Sequence, residues 1–158
     1  MAHREIPKAA IERNAAWIEA VEKALTEYGN INLSKQVMKA AGRECAQQIL
    51  ADCEKILGKK PETVDELLDA TNQRRMERHH LTSIWERQGN RAHLTIDKCA
   101  CTLVKAGLAK PNPVHCLCSA GLMDHIFSAV CKGPVNVEAV RTIGQGDDKC
   151  EFYVNFQE

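Results

Sequence analysis

Three consecutive pieces near the C-terminus decide the fold class. They are Val135-Asn136-Val137-Glu138-Ala139-Val140-Arg141-Thr142-Ile143, Gly144-Gln145-Gly146-Asp147-Asp148, and Cys150-Glu151-Phe152-Tyr153-Val154-Asn155-Phe156. Val135, Val137, Ala139 and Ile143 share one side of an extended chain, and so do Cys150, Phe152, Val154 and Phe156. The glycine- and aspartate-rich piece between them supplies turn residues. Two such strands joined by a turn predict an antiparallel sheet with one face on a core.

Upstream, Leu122, Met123, Ile126, Phe127 and Val130 recur at helical spacing, and Lys132-Gly133-Pro134 ends that helix. A loop carrying Pro111 and Pro113 precedes it. Before the loop, Leu81–Arg87 and Ala92–Asp97 flank Gln88-Gly89-Asn90, a hairpin signal. The remaining N-terminal part reads as three helices. The first carries Ile11, Ala15, Ile18, Val21, Leu25 and Tyr28 and stops at Gly29-Asn30. The second starts near Asn32 or Ser34, carries Val37, Met38, Ala41, Cys45, Ile49, Cys53 and Ile56, and ends at Gly58. The third follows Pro61, where Thr63 and Glu66 fit a capping box. The predicted class is therefore α+β in the order αααββαββ: N-terminal helices plus an antiparallel sheet of about four strands with one long helix inserted. We read one domain over 1–158, with a helical layer at 1–80 and a cysteine-rich ββαββ layer at 81–158.

The composition narrows the function classes. The chain has 158 residues, 44% hydrophobic and 27% charged, which suits a folded globular protein. Basic and acidic residues balance at 21 each, so no global field favours nucleic acid or an anionic membrane. No apolar run is long enough for a membrane helix, and Met1-Ala2-His3-Arg4-Glu5 does not read as a secretory signal, so a cytoplasmic location is expected. Eight cysteines stand beside only seven aromatic residues. Thiols clustered in a reducing compartment suggest metal or redox chemistry before disulfides.

Six of the eight cysteines fall after Lys98. Cys99-Ala100-Cys101 and Cys116-Leu117-Cys118 form two pairs, and four thiolates brought together by one loop can hold one metal. Cys99, Cys101, Cys116 and Cys118 are thus the candidate ligands, for zinc or an iron–sulfur cluster. The single residue inside each pair departs from the usual knuckle spacing. In an extended segment it still points both thiols to one side. Free thiols near a pocket remain the alternative. His115 is a candidate substitute ligand, although a histidine in that position is more simply read as exposed. Cys45 and Cys53, eight apart on the second helix, read as packed thiols on its buried side, as do Cys131 and Cys150. Arg74, Arg75, Arg78, His79 and His80 read as a solvated helix end, Trp85 as a core anchor, and Asp147 and Asp148 as turn residues. The sequence carries no Walker, dinucleotide-fingerprint, HExxH or nucleophile-elbow motif, and no clear acid/base pair.

The part from Cys116 onward also resembles a known superfamily. The carrying residues are Cys116, Cys118, Gly121, Gly146, Asp147, Cys150 and Phe152, within Cys116-Leu117-Cys118-Ser119-Ala120-Gly121 and Gly146-Asp147-Asp148-Lys149-Cys150-Glu151-Phe152-Tyr153-Val154. This pattern is similar to the 4-vinyl-reductase-type hydrocarbon-binding domain, including proteins related to L-2-amino-thiazoline-4-carboxylic acid hydrolase. The likeness covers about 60 residues well and the N-terminal helices loosely. It implies an α+β domain that binds a small molecule or a metal. The expected function is accordingly a small-molecule or metal-binding module of the hydrocarbon-binding type with a four-cysteine cluster. The alternatives are a hydrolase of cyclic C–N bonds and a small iron–sulfur or redox protein. A small apolar or cyclic ligand is expected, a homodimer is compatible, and neither nucleic acid nor membrane is expected as a partner.

Overall fold

The computed structural model describes residues 7–79 and 84–157. The elements run α1 (Lys8–Glu27), α2 (Ile31–Leu57), α3 (Val64–His79), β1 (Trp85–Gln88), β2 (Arg91–Ile96), α4 (Thr102–Lys105), α5 (Pro113–Ser128), β3 (Asn136–Arg141) and β4 (Cys150–Asn155). The expected α+β class and helix-before-sheet order hold. One short helix, α4, appears where a loop was expected. Leu81, Thr82 and Ser83 of the predicted first strand, with His80, lie outside the described residues.

Local chemistry explains most boundaries. Asn30 caps α2 by accepting from the Leu33 N–H at 2.9 Å, and Gly58 ends it at a φ of 72°, where a side chain would be strained. At α3, Thr63 accepts from the Glu66 N–H, while the Glu66 carboxylate accepts from the Glu62 N–H at 2.8 Å, one residue further back than a simple capping box. Helix α5 begins well before the predicted apolar stripe. Pro113 takes its first turn, and Asn112 caps it by accepting from the His115 N–H at 2.8 Å.

The sheet is antiparallel throughout, in the order β1-β2-β4-β3. Leu94 pairs with Phe152 and Ile96 with Cys150, so the predicted alternation of β4 meets a matching alternation of β2 on one buried face. Trp85, Phe127 and Phe156 stack at the end of that core, Trp85 edge-on to Phe127 at 5.3 Å. The edge strand β3 is mostly exposed: Val137 is half-buried, Ala139 is exposed, and Ile143 falls in a short 3-10 turn beyond the strand.

Helix α5 contacts α1, α2, α3 and the sheet, and its closest approach is to α2. A Cβ on Gly42 would stand 2.1 Å from the Cys118 carbonyl oxygen, and one on Gly121 would stand 2.3 Å from the Lys39 carbonyl oxygen. Backbone therefore meets backbone at both crossings. The buried line of α2 accordingly runs through Ser34, Met38, Gly42, Ala46 and Cys53, not through the predicted Val37, Ala41 and Cys45. Cys53 is buried as expected, but Cys45 is exposed. Among the described residues no helix is long and apolar enough to cross a membrane.

Candidate functional site

A cavity of about 300 Å³ lies between the buried face of the sheet and helices α2, α3 and α5. The sheet contributes Trp85, Leu94, Ile96, Cys150 and Phe152 to its wall. Helix α2 adds Cys45, Gln48 and Ile49, and α5 adds Leu122, Met123 and Ile126 along its length. Thr71, Arg74 and Arg75 line the side made by α3. The segment 99–102 and the first turns of α5 close the other end. Most of this lining is hydrocarbon, with polar groups placed at the two ends. Pockets for small organic ligands have this character.

Six cysteines border the cavity: Cys45, Cys99, Cys101, Cys116, Cys118 and Cys150. The candidate metal ligands Cys99, Cys101, Cys116 and Cys118 therefore share one cavity. Their grouping differs from the sequence pairs. Cys116 and Cys118 sit on a helix rather than an extended segment, so residues two apart are turned by about 200° from one another. The electrostatic neighbours of Cys118 are Cys101, Cys45 and Cys116, and those of Cys116 are Cys150 and Cys99. Among the described residues, no three His, Cys, Asp or Glu side chains converge on a set that could hold a metal ion. The geometry gives the zinc or iron–sulfur expectation no support, and no chemistry is derived through a metal.

A different set of groups does converge. His115, expected at the surface, is buried in the first turn of α5. Its Nε2 lies 3.3 Å from the Cys101 Sγ, and its Nδ1 lies 2.5 Å from Oε1 of Glu22. Glu22 is the one buried residue of α1, and its second carboxylate oxygen accepts from the Asn112 side-chain amide at 2.6 Å. Asn112 thus caps α5 with its oxygen and holds Glu22 with its nitrogen. The result is a thiol, an imidazole and a carboxylate in line, with the thiol at the cavity wall.

The electrostatics follow from this line. Burial pushes the Cys101 thiol up, but the hydrogen bond to His115 and the backbone N–H groups of Val104 and Leu103 outweigh it, so the thiol is net more acidic than an ordinary cysteine. The Cys101 hydrogen bond raises His115 against its burial, and Glu22 adds to the rise, taking the imidazole to about 9. The two shifts run in the sense that favours a thiolate–imidazolium pair. Five thiols go the opposite way. Burial lifts Cys118 to about 12 and Cys53 to about 11, and it raises Cys45, Cys116 and Cys150 as well.

At the α3 end, Arg74 is an interior group rather than part of a solvated helix end. Its Nε donates to Oδ2 of the buried Asp52 at 2.9 Å, and Gln48 donates to the other oxygen. Arg75 loses solvent and neighbours Arg74, which together lower it to about 10. The side chains of Arg78 and His79, and the whole of His80, lie outside the described residues. Asp147 accepts from the Thr142 N–H at 3.0 Å, the expected turn role. Cys150 is buried, as its alternation required, and Trp85 packs in the core.

The comparisons with known proteins bear on the fold. A trafficking protein particle complex subunit 3 from Naegleria fowleri, covalently bound to palmitic acid, superposes with a TM-score of 0.61 at 12% identity, over 96% of this chain and 98% of its own. The phenol-responsive sensory domain of the transcription activator PoxR, solved with phenol, superposes with a TM-score of 0.54 at 14% identity, over 90% of this chain and 74% of its own. A vinyl-4-reductase family protein from Methanocaldococcus jannaschii is also among the matches, with a TM-score of 0.41 at 15% identity, over 99% of this chain and 85% of its own. At these identities the first two likenesses are of fold alone. No curated protein matches the sequence. Residues 2–158 match DUF6144, a family of unknown function, and the chain belongs to that family.

Proposed function

We propose that this chain is a ligand-binding domain that encloses a small apolar molecule with one polar head, such as a phenol or a medium-chain fatty acid. The observation that carries this reading is the cavity of about 300 Å³, walled by hydrocarbon from the sheet and α5. A cavity of about half that volume accepts benzene when its lining is apolar. The cavity here accommodates a ring with substituents, or a folded chain. Two proteins of the same fold were solved with small organic molecules, palmitic acid in one and phenol in the other, which supports the reading.

Trp85 on the cavity wall provides the test. Trp17 is 67% exposed on α1 and contributes a background signal, so Trp17→Phe leaves Trp85 as the reporter. Titration of that variant with phenol and with octanoate is expected to give a saturable change in Trp85 emission for at least one of them. Leu94→Phe, which fills part of the cavity from β2 and adds no tryptophan, is expected to weaken it. A linear, non-saturating response to both compounds overturns the reading.

A further inference from the structure

Cys101, His115 and Glu22 make an arrangement that ligand storage alone does not require. A wall of a binding cavity is built most simply from hydrocarbon. Here it includes a thiol hydrogen-bonded to an imidazole that is itself held by a buried carboxylate. The side chains of His115 and Glu22 are only 4% and 9% exposed, so solvent screens the pair little. A nucleophile, a base in hydrogen-bond reach and a third group orienting the base are the parts of an activated cysteine. The elements involved are far apart in the chain, and Asn112 ties them by bonding both Glu22 and the His115 N–H.

We propose that Cys101 is a nucleophile that accepts an acyl group from a thioester, with His115 as its acid–base partner and the acyl chain seated in the cavity. The proposal rests on the ligand reading above and names the covalent chemistry of the same site. The thiolate of Cys101 attacks the carbonyl carbon of the donor thioester, and a new C–S bond forms. The tetrahedral oxyanion collapses and the C–S bond to the donor breaks. The departing sulfur takes the proton from Nε2 of the His115 imidazolium. Cys101 ends as a thioester, His115 ends neutral, and Nδ1–H still donates to Glu22. No oxidant or reductant enters. The donor must bring an apolar body, because the space beside Cys101 is lined chiefly by hydrocarbon. Glu22 touches no reacting atom and is a positioning residue.

Several titratable or charged groups face the pair. They are Glu22 from α1, Cys45 from α2, Cys118 from α5, and Arg74 and Arg75 from α3 across the cavity. Of these Glu22 alone bonds His115 directly, so its removal has a specific signature. Glu22→Gln is expected to move the alkaline limb of the pH profile of Cys101 acylation to lower pH, because a neutral amide supports the imidazolium less well. A purely structural role for Glu22 would lower the amount of folded protein without moving the profile.

The test uses the whole chain and octanoyl-coenzyme A as the thioester. Intact mass is expected to rise by one octanoyl group, with the modification mapped to Cys101 and released by hydroxylamine. Cys101→Ser is expected to abolish the thioester adduct, and His115→Gln to slow its formation about a hundredfold. Free octanoate is titrated into the Trp17→Phe/Cys101→Ser variant in parallel, which separates the two ideas. If octanoate binds but Cys101 stays unmodified, nucleophilic acylation is overturned while the ligand reading stands. If octanoate does not bind and no adduct forms, both fail. An adduct spread over several cysteines, or one formed equally fast in His115→Gln, also overturns the proposal.

Discussion

The carboxylate of Glu22 lies 2.5 Å from Nδ1 of His115, joining the first helix to the fifth across ninety-three residues of chain. This contact ties a protonation state to the folded structure. His115 is raised to about 9 when folded, against about 6.5 in an unfolded chain. The folded state therefore binds a proton more tightly. The stabilisation is full below about pH 6.5 and is lost as pH rises through about 9. Cys101 contributes in the opposite sense, because its lowered thiol favours the folded state as pH rises. The proton lost from His115 sets the expected direction between those values. We expect the melting temperature to fall from pH 6.5 to 9 in the wild type. His115→Ala should flatten the lower half of that curve. A wild-type melting temperature constant across this window contradicts the assignment.

The thiols should separate by reactivity. Cys101 is the thiol that its surroundings make more acidic, while burial lifts Cys118 to about 12 and Cys53 to about 11. Thiolate, not thiol, is the reacting form. Limited iodoacetamide treatment at pH 7, followed by peptide mapping, should label Cys101 first. Cys150 and Cys53, both buried, should label last. Exposed Cys45 labelling ahead of Cys101 would mean that exposure outweighs the His115 hydrogen bond.

Gly42 and Gly121 should tolerate no side chain. An added Cβ at either position meets backbone of the facing helix at 2.1 Å or 2.3 Å, and backbone cannot rotate aside. Overpacking of this kind costs about 1–3 kcal/mol. Gly42→Ala and Gly121→Ala should each lower the unfolding free energy obtained from urea titration by that amount, and with it the midpoint. An unchanged midpoint would show that α2 and α5 are not held at this spacing.

Asp52 is 1% exposed and holds Arg74 at 2.9 Å. Arg74→Ala removes the 2.9 Å bond to a carboxylate that Gln48 and Lys55 also contact. Breaking one side of a buried pair costs about 3–5 kcal/mol. The double variant Asp52→Asn/Arg74→Met should recover much of the loss, because the buried carboxylate that lost its arginine is then neutral. Equilibrium denaturation of the two proteins distinguishes charge isolation from lost packing.

Much of the sheet was legible because its signal is local. Cys150, Phe152, Val154 and Phe156 alternate without interruption, and β2 offers the same period opposite them. The edge strand was less legible, since Val137 is only half-buried and Ala139 is exposed, so their alternation carries less burial. The site was mostly hidden. Ile11, Ala15, Ile18 and Leu25 are spaced four, three and seven apart, and Glu22 stands where that repeat asks for an apolar residue. Reading Val21 into the stripe passed over the one charge that the helix buries. A carboxylate in an apolar register position signals a buried partner, but its identity is non-local. Asn112-Pro113 was likewise a helix start read as a loop. That reading placed Cys116 and Cys118 in an extended segment with both thiols on one side, whereas the helix turns them apart.

The contact of Gly42 with the Cys118 carbonyl has a mechanical consequence. Two backbones in direct contact have no side chain between them to absorb a shift. A displacement of the Cys118 turn, such as an occupant of the cavity would impose, must push α2 as a rigid rod. Its 27 residues span roughly 40 Å, and they run from the cap at Asn30 to the left-handed exit at Gly58. Pushed near its middle, the rod moves both ends, and those ends lie at the surface. An occupant of the interior would thereby be geared to the outside of the molecule through two missing methyl groups.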